Sequence, residues 1–187
     1  MSRDAYSEFS RRTVALHWLI AIAIIGVFAL GTYMEDLEAS PFTFQLYAIH
    51  KSIGMLILPV ALYRIWWRMK NGFPEPVGAY SHIEHLAAKV VHYVLILATI
   101  LMPITGIMFS GAGGFGLAIF GLELVPANFV DGKAIAHNAT VAGIGHTLHE
   151  AVSNVLMVAV GLHVAGALKH HVLDKDGTLR RMLGQRI

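Results

Sequence analysis

The sequence predicts an all-α integral membrane protein, a bundle of four transmembrane helices built by one domain that covers residues 1–187. Two observations support this fold class. Hydrophobic residues make up 56% of the chain and charged residues only 14%, whereas soluble domains are about 25% charged. The apolar residues are also concentrated in four stretches, each close to the ~20 residues that cross a ~30 Å hydrocarbon core.

The four stretches run over residues 13–33, 44–67, 86–109 and 147–170. Pro59 and Pro103 fall inside the second and third, where membrane helices tolerate proline. A cleaved signal peptide is the alternative for the first stretch. No small-residue cleavage site precedes the acidic residues that follow it, so a transmembrane helix is favoured. The apolar segment 116–126 is too short to span, and we expect it at the interface or over the bundle.

Basic residues predict the orientation of the bundle. Twelve of the fourteen Lys and Arg lie at the chain termini or around the middle loop, and only Lys51 and Lys133 do not. By the positive-inside rule, both termini and the middle loop face the cytoplasm. The twelve are Arg3, Arg11, Arg12, Arg64, Arg68, Lys70, Lys89, Lys169, Lys175, Arg180, Arg181 and Arg186.

Composition also limits the chemistry. The chain has no cysteine and eleven histidines, which excludes disulfides, iron–sulfur clusters and thiolate ligation and leaves histidine as the main metal ligand. The net charge of +2 is too small to indicate a nucleic-acid partner.

Four histidines within the predicted spans are the candidate ligands: His17, His50, His149 and His163. Ionisable groups in a membrane are costly and mark function by default. His149 and His163 are fourteen residues apart. On a helix this spacing places the two residues within about 40° of each other around the axis and separates their rings by about 21 Å along it. One helix can therefore supply one ligand to each of two stacked haems, with His17 and His50 at matching depths.

Other interpretations of these histidines remain open on spacing alone. A zinc site or a proton relay is the chief rival to two haems. His146 lies one turn from His149, but it is about 100° away from His163 around the helix, so His149 is preferred. His92 is a candidate wall of a quinone pocket or a hydrogen-bonded bundle histidine.

Short motifs at these histidines resemble the bacterial cytochrome b561 family, relatives of the cytochrome b subunits of hydrogenases and formate dehydrogenases. The resemblance covers essentially the whole chain. It is carried by Ser10–Arg11, Leu16–His17–Trp18, Ile49–His50, Leu148–His149–Glu150, Gly161–Leu162–His163, His170–His171, Lys175–Asp176, Thr178–Leu179 and Arg181–Met182.

The resemblance implies a bacterial inner-membrane protein with two haem b groups. His17 would pair with His163 on the cytoplasmic haem and His50 with His149 on the outer one, as their depths also predict. It further implies exchange of electrons with the membrane quinone pool. The oligomeric state stays open, with a homo-oligomer among the alternatives.

Further residues are candidates for the ends of the electron path. Arg64 and Arg68, one turn apart, could bind haem propionates or only set the topology. His170 and Lys169 place a titratable donor and a cation at the cytoplasmic rim, which predicts a ubiquinone site there. The alternative for His170 is a rim residue without a catalytic role.

Two functional hypotheses follow. In the first, implied by the resemblance, the protein oxidises superoxide outside the membrane and reduces ubiquinone. In the second, it is the membrane anchor and electron conduit of a larger complex with a soluble dehydrogenase or with a periplasmic redox partner such as a cytochrome. The outer loops bear on the choice, because a net acidic face slows capture of an anion. They contain Glu35, Asp36, Glu38, Glu123 and Asp131 against Lys51 and Lys133.

Overall fold

Four long helices dominate the computed structural model, which describes residues 7–72, 76–78 and 80–187. Helix α1 is Arg11–Glu35, α2 is Pro41–Asn71, α3 is His82–Ala112 and α4 is Ala139–Val172. By length and hydropathy each could cross a membrane. The predicted fold class, an all-α four-helix membrane bundle, is therefore confirmed. Of the basic residues used to predict orientation, Arg3 lies outside the described residues.

Polar caps determine where the four helices begin. Ser10, Ser40, Ser81 and Asn138 each accept a hydrogen bond from a backbone N–H three residues further on, which satisfies a donor that the helix itself cannot. The helices are longer than the apolar stretches: α4 begins at Ala139 and not at residue 147. Hydropathy marks only the part of a helix that suits hydrocarbon, whereas the cap marks its first turn.

One apolar layer forms the centre of the bundle. It contains residues from all four helices: Ile20, Ile24, Ile57, Ala61, Ala98 and Leu156. Leu156 is seven residues from His149 and seven from His163, which is about 10 Å along the helix axis in each direction. The core therefore lies midway between the two histidine levels of α4.

A small β-structured region covers one end of the bundle. Strands β1 (Leu117–Ile119) and β2 (Leu122–Val125) form an antiparallel hairpin, and β3 (Phe129–Val130) pairs with β4 (Lys133–Ala134). Ser52 of α2 is 2% exposed, and its Oγ accepts from the Phe120 N–H at 2.9 Å. We call this end, beside His50, the outer end, after the predicted orientation.

The C-terminus meets Ser7, the first described residue, at the opposite, inner end. A short helix α5 (Thr178–Met182) follows α4, and the backbone N–H of Ile187 donates to the Ser7 carbonyl at 2.9 Å. The indole Nε1 of Trp18 donates to the Met182 carbonyl at 2.9 Å. The C-terminal tail therefore folds under the inner end, close to His17.

Candidate functional site

The inner end of the bundle brings two of the sequence-predicted histidines face to face. The ring centres of His17 on α1 and His163 on α4 lie 6.0 Å apart. A third histidine, His92 on α3, has its ring centre 5.1 Å from that of His163. Its Nδ1–H donates to the Ala88 carbonyl at 2.7 Å, so His92 is a hydrogen-bonded bundle histidine that also contacts the inner pair.

The outer end holds the second pair. The ring centres of His50 on α2 and His149 on α4 lie 6.4 Å apart. His146, the competitor of His149 in the sequence, instead packs its ring against Phe109 with centres 4.7 Å apart. The structure thus brings His149, and not His146, to His50.

Hydrogen bonds orient the His149 ring. Its Nδ1 lies 3.1 Å from the Met102 carbonyl and 3.0 Å from the Thr105 hydroxyl. A carbonyl only accepts, so Nδ1 carries the proton and Nε2 keeps a lone pair. Metal-binding histidines commonly have this arrangement, with the second nitrogen held by a backbone carbonyl.

Two glycines flank the outer pair. A Cβ added at Gly31 would lie 3.2 Å from Cε1 of His50, and one added at Gly106 would lie 3.2 Å from Cε1 of His149. Both distances are tighter than ordinary packing, so a side chain at either position would press on a ring. We call Gly31 and Gly106 the glycine cradle of the outer pair. The periodicity of the sequence does not predict it, because each contact joins residues of two different helices.

One ring nitrogen of the outer pair lacks a partner. The Val27 carbonyl lies near the His50 ring, but the contact does not have the geometry of a hydrogen bond. Within the described residues, His50 Nδ1 is buried without a hydrogen-bond partner. Such groups are rare in native proteins and call for a missing ligand or a small ring rotation.

The spacing of both pairs fits a metal ion between two imidazoles. An imidazole nitrogen lies about 2 Å from a bound first-row metal, so one ion between opposed rings places their centres about 6 Å apart. Zinc needs about four ligands. Among the described residues, the only group of three or more His, Asp or Glu whose ligand atoms lie within 4.8 Å of one another is His170, Asp174 and Asp176. The histidine pairs therefore suit a haem iron better than zinc.

The two candidate propionate-binding arginines differ in position. Arg64 places a guanidinium nitrogen 3.1 Å from His17 Nδ1, which brings it to the inner pair. The Arg68 guanidinium lies over the Phe9 ring at 5.5 Å, directed towards the N-terminal segment. The sequence places the two one turn apart, and in the structure it is Arg64 that lies within hydrogen-bonding distance of the candidate ligand His17.

The predicted quinone residues His170 and Lys169 belong to a network of ionisable side chains at the inner rim. His170 Nδ1 lies 2.8 Å from an Asp174 carboxylate oxygen and 3.3 Å from one of Asp176. Lys169 Nζ contacts Glu84 at 2.5 Å and Asp174 at 2.9 Å. The sequence analysis did not predict these acidic partners, although Asp174 follows His170 by only four residues, just beyond the end of α4 at Val172.

Tyr80 and Asp176 complete this network outside the spanning segments. The Tyr80 hydroxyl donates to Asp176, and the Tyr80 ring lies 4.5 Å from that of His170. Burial raises the pKa of Tyr80, and the hydrogen bond to Asp176 adds to the rise. Burial also tends to raise the pKa of Asp176, but hydrogen bonds from Tyr80 and Thr178 outweigh it and leave that pKa below its ordinary value.

Four membrane-length helices with opposed histidine pairs define the class of membrane b-type cytochromes. The chain belongs to the prokaryotic cytochrome b561 family, whose family model matches residues 8–185. Membership implies haem b as the cofactor and fits a multi-pass protein of the inner membrane.

Three relatives illustrate the similarity. The chain is 37% identical over 174 residues to cytochrome b561 homolog 2 of Escherichia coli strain K12, covering 92% of this chain and 89% of the relative. It is 28% identical over 180 residues to the probable superoxide oxidase CybB of Yersinia pestis, covering 95% and 97%. Cytochrome b561 homolog 1 of E. coli is 22% identical, covering 96% and 99%.

Proposed function

We propose that this chain is a di-haem b electron-transfer protein in which His17 and His163 hold one haem and His50 and His149 hold the other. The observation that carries the proposal is the pair of opposed imidazoles at each end of the apolar core, with ring centres 6.0 and 6.4 Å apart. When bound, each haem would supply one-electron transfer at its iron, with the two histidines of its pair as the protein ligands.

Neighbouring residues support this ligand set. The Met102 carbonyl holds the proton of His149 on Nδ1, so that Nε2 is available to a metal. At the inner pair, metal binding through Nε2 of His17 requires the hydrogen bond between Arg64 and His17 Nδ1 to break. If His17 binds through Nε2, its proton moves to Nδ1, and Arg64 can no longer donate there. The Arg64 guanidinium is then released to pair with haem propionates, together with Arg68.

The reaction we favour is oxidation of superoxide at the outer end coupled to reduction of ubiquinone at the inner end. Two superoxide anions each lose one electron and leave as dioxygen, and ubiquinone takes up two electrons and two protons and leaves as ubiquinol. The relative of Yersinia pestis, a probable superoxide oxidase that is 28% identical, supports this donor. The net acidic outer loops speak against it and favour the conduit hypothesis.

The inner rim is our proposed ubiquinone site, with His170 as the proton donor. Carboxylate oxygens of Asp174 and Asp176 contact His170 Nδ1, which orients the ring. The ammonium of Lys169 is paired with Glu84 and Asp174, so it acts through this network and not as an isolated cation. Protons reach the rim from the side on which the C-terminal tail lies.

We further propose that residues 1–187 form one domain of the inner membrane, with both termini in the cytoplasm. The support is the concentration of basic residues near the termini and the middle loop. A reporter fused after Ile187 should be active only as a cytoplasmic marker. Activity as a periplasmic marker would overturn the orientation and exchange the roles of the two ends.

The reaction is tested with purified, haem-loaded protein in liposomes that contain ubiquinone. Superoxide generated outside should reduce the haems and form ubiquinol at a rate that catalase does not change and superoxide dismutase abolishes. His170→Ala should slow ubiquinol formation at least about ten-fold, the scale on which general acids contribute. His171→Ala, one residue further on, is the matched control and should retain the wild-type rate.

Two outcomes would change the conclusion. If superoxide fails to reduce the haems while ubiquinol reduces them readily, the oxidase function is wrong and the conduit hypothesis replaces it. If His170→Ala and His171→Ala both match the wild type, the quinone site does not use His170.

A further inference from the structure

Asn154 presents a polar amide to the lipid-facing surface in the middle of helix α4. It lies fifteen residues from the start of the helix at Ala139 and eighteen from its end at Val172, about 22 Å from the outer end at 1.5 Å per residue. The side chain is exposed, and its amide makes no hydrogen bond within the described part of the chain. An amide without a hydrogen-bond partner in hydrocarbon is strongly destabilising.

This amide points away from the candidate haem ligands. Asn154 is nine residues from His163 and five from His149, which corresponds to about 180° and 140° around the helix. The side chain cannot serve either ring. It borders a groove of about 410 Å³ between α3 and α4, whose other lining residues are all apolar, among them Val94, Val155 and Val158. Lipid tails filling this groove would leave the amide unsatisfied.

The exposed face around Asn154 suits close approach of another helix. Val158, Gly161 and Ala165 follow Asn154 at intervals of four, three and four residues and are all exposed. A Cβ added at Gly161 meets nothing within 4 Å, so the space beside it is open. Small residues on one helix face allow close packing in membranes, and Asn hydrogen-bonds across such contacts.

We propose that this face, formed by Asn154, Val158, Gly161 and Ala165, is the interface of a two-fold symmetric dimer with a second copy of this chain. An amide both donates and accepts, so two Asn154 side chains facing each other across the axis satisfy one another. A quinone carbonyl only accepts and would leave the amide oxygen without a donor. In a membrane the axis is parallel to the membrane normal, so identical residues of the two α4 helices meet.

The chain has no cysteine, so single cysteines report this contact directly. Val158→Cys, at a residue 66% exposed, lies one turn from Asn154, and Ile22→Cys, 68% exposed near the middle of α1, is the matched control. After copper–phenanthroline oxidation in native membranes, Val158→Cys should form a disulfide-linked dimer and Ile22→Cys should not. Equal cross-linking of both, or none at Val158→Cys, would overturn the proposal.

The role of the amide is tested in the Val158→Cys background. Asn154→Leu should lower the dimer association constant roughly 3- to 20-fold, the range for one interhelical hydrogen bond in a membrane, and Asn154→Gln should restore part of it. Haem content should stay at the wild-type value. Gly161→Leu, which adds bulk to the same face, should weaken the dimer independently. Unchanged cross-linking in both Asn154→Leu and Gly161→Leu would refute the interface, as would a change in quinone affinity alone.

Discussion

His149 donates a hydrogen bond from Nδ1 to the Met102 carbonyl, with 3.1 Å between the two atoms. This bond holds the ring of His149 towards His50, 6.4 Å away between ring centres. It also fixes which nitrogen is available to a metal.

Haem stoichiometry should separate His149 from its neighbour His146. We expect wild-type protein to hold two haems per chain by pyridine haemochrome analysis. His149→Ala should lose one haem, because His149 is the histidine that faces His50 among the described residues, whereas His146→Ala should keep both, because His146 packs on Phe109. A single haem in the wild type, or loss on His146→Ala with no loss on His149→Ala, would contradict the ligand assignment.

The glycine cradle of the outer pair should be sensitive to added volume. Gly31→Val places new atoms against His50, where a Cβ alone would lie 3.2 Å from Cε1. Overpacking costs about 1–3 kcal/mol, so we expect affinity for the outer haem to fall about ten-fold or more while the inner haem is retained. Gly26→Val on the same helix is the control, since an added Cβ there meets nothing within 4 Å. Titration of apoprotein with haem measures both, and equal affinities would exclude a cradle.

Arg64 should influence the inner haem more than Arg68 does. A nearby cation stabilises the reduced, less positive iron, so Arg64→Met should lower the midpoint potential of the inner haem. We expect a shift of tens of millivolts, on the scale of 59 mV per ten-fold change for a one-electron couple. Arg68→Met should shift it less, because the Arg68 guanidinium lies over Phe9. Potentiometric titration followed at the haem absorbance distinguishes the two, and a larger shift in Arg68→Met would reverse the assignment.

The turn formed by Asp176 and Thr178 should lose its protection from hydrogen exchange only in acid. The pKa of Asp176 is lower in the folded protein than its ordinary value of about 4. Its contribution to stability is therefore present above that ordinary value and is lost as the pH falls through the depressed one. The Tyr80 hydroxyl, whose pKa is raised, keeps its proton throughout this range and continues to donate.

Removing the Tyr80 hydroxyl should move this acid transition. In Tyr80→Phe, Asp176 loses a donor and its pKa rises, so protection is lost at higher pH than in the wild type. The Thr178 amide, which donates to Asp176 at 2.8 Å, is the reporter in hydrogen exchange measured as a function of pH. Tyr93→Phe, at an exposed tyrosine of α3, should leave the transition unchanged. A transition at the same pH in Tyr80→Phe would show that Tyr80 does not act on Asp176.

The sequence alone determined the fold class, because four apolar stretches of membrane length admit few structures other than helices. The fourteen-residue spacing on α4 likewise predicts two ligand levels, since helix periodicity fixes both angle and height. The ends of the helices were harder to predict from the sequence. In α4 the apolar stretch begins at residue 147, whereas the helix begins at Ala139, directly after its cap. The prediction therefore placed the start of this helix eight residues too late.

Only the tertiary structure decided what lies around the histidines. Gly31 and Gly106 approach His50 and His149 from other helices, and no local pattern encodes a contact between residues so far apart in the chain. The same holds for Lys169. The sequence indicates only a cation at the rim, whereas in the structure Lys169 pairs with Glu84, which is 85 residues away in the chain. Helix packing sets these contacts, and packing depends on side-chain shape over the whole bundle and not on the period of any one segment.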